Sequence, residues 1–229
     1  MIMKTKYIGL TFAAFIFLLT VTSMATETVA VVLKVKGSVS LVRGKSTTAQ
    51  TLTRGFRLEH GDKLSTGSKG YAAIKFVDDA SVIRIRANST CRIEGKKEKN
   101  QILKNVYLEV GALFARVTQQ KGEFKITTPT SVATVKGTEW ISEQKSEGGT
   151  YYYGLKGVVE ISNEAGVALL HANETVEVLD AFTAPRTRKS LPGEGLWEDE
   201  FGLEDEFEFE FENDSGERKM LRFNVQTAE

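Results

Sequence analysis

The chain has 229 residues, 41% of them hydrophobic and 26% charged, with zero formal net charge, two histidines and a single cysteine, Cys91. That length can bury a full core, and one cysteine excludes an internal disulfide. The formal balance is neutral, but the charge is unevenly spread. Residues 190–229 hold 13 acidic and 3 basic side chains, net −10, which leaves 27 basic and 17 acidic elsewhere, net +10. Such asymmetry points to an acidic tail that is either separate or folded back on a basic face.

Residues 1–25 read as a signal peptide. Lys4 and Lys6 precede an uncharged apolar run, Ile8 to Val21, and Ser23-Met24-Ala25 offers a small-x-small cleavage pattern. The run is short for a membrane span, which takes about 20 residues. Cleavage near Thr26 leaves an exported product without a membrane span. An uncleaved N-terminal anchor is the alternative, and either way the rest of the chain lies outside the cytoplasm, where nucleic acid is not an expected partner.

Residues 26–180 read as one all-β domain. Short alternating runs follow one another from Val29–Val35 to Thr175–Leu179, punctuated by turn signals such as Gly37, His60-Gly61-Asp62, Val77-Asp78-Asp79 and Glu147-Gly148-Gly149. Val106–Val110 and Leu113–Thr118 read as two strands on either side of Gly111. Thr48–Leu58 is the best candidate for a short helical turn, with Leu52, Phe56 and Leu58 on one face. The stretch 128–141 reads as two short strands joined by a kink at Gly137, with Pro129 marking a strand start or an edge. Glycine precedes a strand at Gly37, Gly111 and Gly157. This fits stacked strand-turn-strand rungs, although the spacing is too irregular for a sequence repeat. A coiled sheet or solenoid-like β-roll is one packing solution, and a β-sandwich or open barrel is another.

Several motifs, taken in order, resemble the FecR domain over roughly residues 30–162. Leu58-Glu59-His60-Gly61-Asp62-Lys63-Leu64-Ser65-Thr66 is similar to the family's L-x-x-G-D-x-I-x-T turn, and the segment from Ala72 through Asp78, Asp79 and Ser81 to Ile85 is similar to its A-x-x-x-F-x-D-G-S hairpin. Val110-Gly111-Ala112-Leu113, Phe124 to Pro129, Ala133 to Trp140 (with Gly137 and Thr138) and Leu155 to Val159 (with Gly157) match later motifs. Asp79 stands where the family has glycine. The resemblance implies a FecR-type coiled β-sheet, an exported location and a protein-interaction role. The founding regulators of ferric-citrate uptake carry a cytoplasmic anti-sigma segment before a membrane span. Here only about seven residues precede the apolar run, so that segment is expected to be missing and direct sigma-factor control is not implied. The motif residues expected to be structural are Gly61, Asp62, Asp78, Gly111, Pro129, Gly137, Thr138 and Gly157.

Chemistry is sparse. Neither His60 nor His171 has metal-ligand spacing to a Cys, a second His or a Glu, and no nucleophile elbow, P-loop or dinucleotide fingerprint occurs. No enzyme activity and no cofactor are expected. Arg84, Arg86 and Arg92 alternate on what reads as one face of neighbouring strands, a possible docking surface for an anionic polymer or the chain's own tail; a plain solvated face is the other reading. Trp140 and Tyr151-Tyr152-Tyr153 could form an aromatic platform or pack in the core. Residues 181–195 read as a linker. In residues 196–229, Phe207, Phe209 and Phe211 alternate with glutamates and share one face of an extended strand. That strand either augments a sheet in this chain or a partner, or belongs to a solvated acidic arm. Met220 to Val225 could pair with it, putting Phe and Leu/Met on one side. The expected partner is an envelope protein, such as an outer-membrane receptor or a membrane regulator; a cell-wall polymer is the alternative.

Overall fold

The computed structural model describes residues 27–44, 46–98, 101–118, 123–135 and 137–196, together with the strands Glu206–Glu212 and Arg218–Asn224. The leading segment 1–25, read above as a signal peptide, lies outside the described residues. Among the described residues no helix is long and apolar enough to cross a membrane.

The described chain is all β. Its strands are β1 (Thr28–Lys36), β2 (Val39–Val42), β3 (Ala49–Thr51), β4 (Arg57–Glu59), β5 (Asp62–Thr66), β6 (Tyr71–Phe76), β7 (Val82–Ile85), β8 (Thr90–Glu98), β9 (Gln101–Arg116), β10 (Phe124–Thr127), β11 (Val132–Val135), β12 (Glu139–Gln144), β13 (Thr150–Lys156), β14 (Val158–Asn163), β15 (Gly166–His171), β16 (Glu174–Val178), β17 (Arg186–Lys189), β18 (Glu206–Glu212) and β19 (Arg218–Asn224). Thr48–Leu58 contains no helical turn. Parts of it pair as β3 and β4, and Leu52 and Leu58 reach the core from separate segments rather than from one helix face.

The first seventeen strands make one connected sheet, folded into two packed layers. The front layer runs β4-β1-β6-β7-β9-β12-β13-β16-β17. The back layer runs β3-β2-β5-β8-β9-β10-β11-β14-β15. Neither layer closes into a barrel. One strand, β9, belongs to both: its Gln101–Val110 half pairs with β8 in the back layer, and its Gly111–Arg116 half pairs with β12 in the front layer. The two runs read from the sequence on either side of Gly111 are therefore one strand. Gly111 carries φ +95°, a backbone state that costs a side-chain-bearing residue about 1–2 kcal/mol, and it lies against Ser89 so closely that a Cβ would sit 2.5 Å from Ser89 Cα. The strand turns from one layer to the other at the one residue type that fits.

The chain crosses between layers repeatedly, as after β1, β5, β7, β11, β13 and β15. The stretch 128–141 is one such crossing. Residues 128–131 form the turn between β10 and β11, so Pro129 lies in a hairpin turn; β11 then belongs to the back layer and β12 to the front. Gly157 makes the next crossing at φ +79°, and a Cβ there would meet Thr138 Cγ2 at 2.8 Å. Crossing corners thus pack against one another at the ends of the layers.

Between the layers alternation supplies the core. Phe76 and Trp140 from the front layer each stack edge-on against Phe124 from the back, with centroids 5.4 and 6.3 Å apart. Trp140 is fully buried and its Nε1 donates to Ser142 Oγ at 2.9 Å. Residues 181–195, read as a linker, contain β17, which extends the front layer by pairing with β16.

Candidate interaction face

The motif residues are placed as supports. "Gly61-Asp62" turns β4 into β5: Gly61 takes φ +85°, and the buried Asp62 carboxylate accepts two bonds from Arg43, at 3.0 and 2.9 Å, and one from the Glu59 amide at 2.9 Å. Arg43 also bonds Glu59 and the Arg57 carbonyl, and its guanidinium is held protonated above its ordinary range chiefly by the Asp62 bond. Asp78 and Asp79 sit in the β6–β7 turn and meet a residue the sequence reading passed over. Lys104 is buried, its ammonium 2.8 Å from Asp78 Oδ2, 2.6 Å from Asp79 Oδ2 and over the Phe76 ring at 5.5 Å. Asp78 also accepts the Ile102 amide, and Asp79 Oδ1 accepts the Ser81 amide. The aspartate in place of the expected glycine therefore closes the turn and supplies a second counter-charge. No sequence pattern announced Lys104, because alternation along β9 places it among apolar neighbours.

A second buried polar group joins Thr128, Thr130, Ser131, Gln144, Thr150 and Tyr152. Thr150 Oγ1 lies 2.9 Å from Thr128 Oγ1 and donates to Gln144 Oε1 at 2.6 Å, while Ser131 Oγ lies 2.9 Å from the Tyr152 hydroxyl. Burial pushes the Tyr152 hydroxyl up to about 12. These groups satisfy one another, as buried hydroxyls must, and the network fixes the β10–β11 turn over β13. Among the described residues no three His, Cys, Asp or Glu gather in a metal-binding group. Burial likewise pushes the Cys91 thiol up to about 12, leaving it unreactive.

The residues proposed for interaction separate. Trp140 is in the core and cannot present its ring to a polymer. Tyr152 is buried, while Tyr151 and Tyr153 are half-buried; Lys145 lies over Tyr151, and the Tyr153 hydroxyl donates to Glu143 at 3.1 Å. The three arginines do not share one face: Arg92 lies on the back layer, whereas Arg84 and Arg86 lie at β7 in the front layer. Arg92 is on β8 in the back layer, over Tyr107 and paired with Glu94 and Glu109. Arg84 is on β7 in the front layer, buried over the Phe114 ring at 5.0 Å. Arg86, just past β7, donates to the Leu196 carbonyl at 2.8 Å. Phe207, Phe209 and Phe211 lie in β18, outside the residues whose side chains are described.

The front layer's outer surface carries one continuous register row. From β17 to β1 it reads Arg188, Thr175, Tyr153, Ile141, Phe114, Arg84, Ala73, Lys34. A strap of residues 190–196 follows β17 along it. Glu194 accepts both terminal nitrogens of Arg188, at 2.6 and 2.7 Å, and the Leu191 amide at 2.8 Å. These bonds, the Arg188 pair first, hold its carboxyl down at about 2. Gly195 lies against Tyr153, and the strap ends at Arg86. Among the described residues β15 has one ladder partner, β14; on its other flank the Leu169 carbonyl accepts the Thr187 hydroxyl of β17 at 3.4 Å and the His171 amide donates to Glu174 at 2.9 Å. Its outward residues Val167 and Leu169 are 63% and 50% exposed, and Phe182 on the neighbouring β16–β17 loop is 77% exposed.

Residues 62–160 match the family model described as FecR protein. Two crystal structures of a candidate anti-sigma factor from Parabacteroides distasonis, at 2.50 and 1.65 Å resolution, resemble the chain with TM-scores of 0.49 and 0.48 at 18% identity. Each match covers 56% of this chain and 59% of the other, so the chain spans under two thirds of those structures. No curated protein matches the chain.

Proposed function

We propose, for a chain whose residues 62–160 belong to the FecR family, that it is an exported, non-catalytic signalling module of the cell envelope that works by binding another protein. Cleavage near Thr26 would release it to the periplasm or cell surface. The observation that carries the reading is the β15 edge. Among the described residues β15 has a ladder partner on one side only; its Leu169 carbonyl and His171 amide are already held by Thr187 and Glu174, and the Val167 end is the part offered for further pairing, with the exposed Val167 and Leu169 side chains adding apolar contacts beside it. That combination suits an extended strand of a partner protein, which would bind by main-chain pairing and read alternate side chains. An outer-membrane receptor or a membrane regulator is the class of partner the family membership favours.

The test is quantitative recovery of one envelope protein with the full-length chain against a Val167→Lys, Leu169→Lys double variant. Both substitutions are at exposed positions, so the fold should survive. At least tenfold lower recovery with the variant is expected. Equal recovery, or an exported reporter that stays cytoplasmic when fused behind residues 1–26, would overturn the reading.

A further inference from the structure

We infer that the outer surface of the front layer is a docking site occupied in cis by the C-terminal hairpin, β18 and β19. This surface is distinct from the β15 edge and does not depend on it.

The first observation is burial where the architecture predicts exposure. In β7 and β9 the side chains of Ile83, Ile85, Leu113 and Ala115 point into the core cluster. Alternation sends Arg84, Ala112 and Phe114 to the opposite surface. These, with Tyr71, Ala73, Val82 and Ile141, lie outside the core cluster, yet all are buried; Arg84 is 6% and Phe114 5% exposed. An outer sheet face of this composition is buried only when something lies over it. The 190–196 strap touches Thr175, Tyr153 and Arg86, which accounts for one end of the register row and not for Ala73 and Phe114.

The second observation is where the chain is delivered. Arg86 holds the Leu196 carbonyl beside β7, and nine residues separate Leu196 from β18 at Glu206. Nine extended residues span up to about 30 Å, whereas β7, β6 and β1 are about 5 Å apart. The hairpin has ample chain to fold back over this surface.

The third is complementarity. Around Ala73 and Phe114 the surface carries Lys34, Lys36, Lys75, Arg84, Arg86 and Arg116, and burial lowers the proton affinity of Lys75. The tail is net −10. In the hairpin, register sets Phe207 opposite Phe223, Phe209 opposite Leu221 and Phe211 opposite Lys219, a set of positions that is apolar except at the lysine by the turn; Met220 pairs with Glu210 at the alternate positions. An apolar hairpin face would lie on Phe114, Ile141 and Ala73, while the opposite charges draw the two pieces together.

The test uses the full chain with Ala73→Cys. Cys91 is buried and serves as the internal unreactive thiol. Alkylation at position 73 should be slow, and Phe207→Ser, Phe209→Ser and Phe211→Ser together should speed it at least tenfold while Cys91 stays protected. In the chain without these substitutions, carbodiimide should link Lys75 to a glutamate of Glu206–Glu212 within a monomer. The inference is overturned by an unchanged alkylation rate, by links found only between two copies, or by deprotection on removing residues 1–25 instead.

Discussion

Replacing Gly111 with alanine tests the crossing of β9 from one layer to the other. The residue holds φ +95°, which costs an alanine about 1–2 kcal/mol. The added Cβ would lie 2.5 Å from Ser89 Cα and 2.6 Å from Ser89 Cβ, and such overpacking costs about 1–3 kcal/mol. Ser89 cannot step aside freely. Its Oγ donates to the Ala112 carbonyl at 3.2 Å and accepts the Ala112 amide at 3.0 Å, and its own amide donates to Thr66 Oγ1 at 2.9 Å. Losing one such bond adds about 1 kcal/mol, for a total of about 3–6 kcal/mol against a typical stability of about 5–15 kcal/mol. Urea denaturation at neutral pH would read this as a midpoint lowered by about 1–2 M. Gly61→Ala is the control: φ is +85° but nothing lies within 4 Å of the added Cβ, so only the backbone cost of about 1–2 kcal/mol applies. Equal losses in the two variants would refute the claim that close approach to Ser89 makes Gly111 necessary.

Three further outcomes follow from the same contacts. Trp140→Ala should lose about 3–5 kcal/mol in the same denaturation assay, because the ring fills the space between the layers against Phe124. Lys104→Ala should lose about 3–5 kcal/mol by leaving Asp78 and Asp79 without their shared cation; Asp79→Asn, which retains one carboxylate, should lose less. The strap should be pH-dependent. Glu194 is held at about 2 against an ordinary 4.5, a depressed carboxyl whose contribution is complete above about pH 4.5 and fades as pH falls toward 2. Hydrogen exchange at the Leu191 amide, which Glu194 accepts, should therefore gain protection loss across that window, and Glu194→Gln should remove the dependence.

Much of the fold was legible because alternation and turn residues are local. β1 and β16 fall within a residue or two of the runs Val29–Val35 and Thr175–Leu179, and the FecR motifs mark the turns at Gly61-Asp62 and Asp78-Asp79. What alternation could not convey is the layer to which a strand belongs. Gly111 looked like a break between strands and is a bend within one; Arg84 and Arg92 share a period but lie on different layers. β5 was read as part of a turn and β17 as linker because both are short and polar, and their ladder bonds come from distant segments. Lys104 and the 190–196 strap were invisible for the same reason. A buried lysine is defined by its two aspartates, 25 and 26 residues away in sequence, and a strap by the sheet beneath it.

The proposed function is the binding of a protein strand at β15, in a chain whose residues 62–160 match the FecR model. A photo-crosslinking amino acid at position 169, in cells expressing the full-length chain, tests that claim directly. A single envelope protein joined through position 169, and not through a probe at position 92 on the back layer's outer face, is the predicted result. Equal yields from the two positions, or none at 169 in an exported chain, would contradict it.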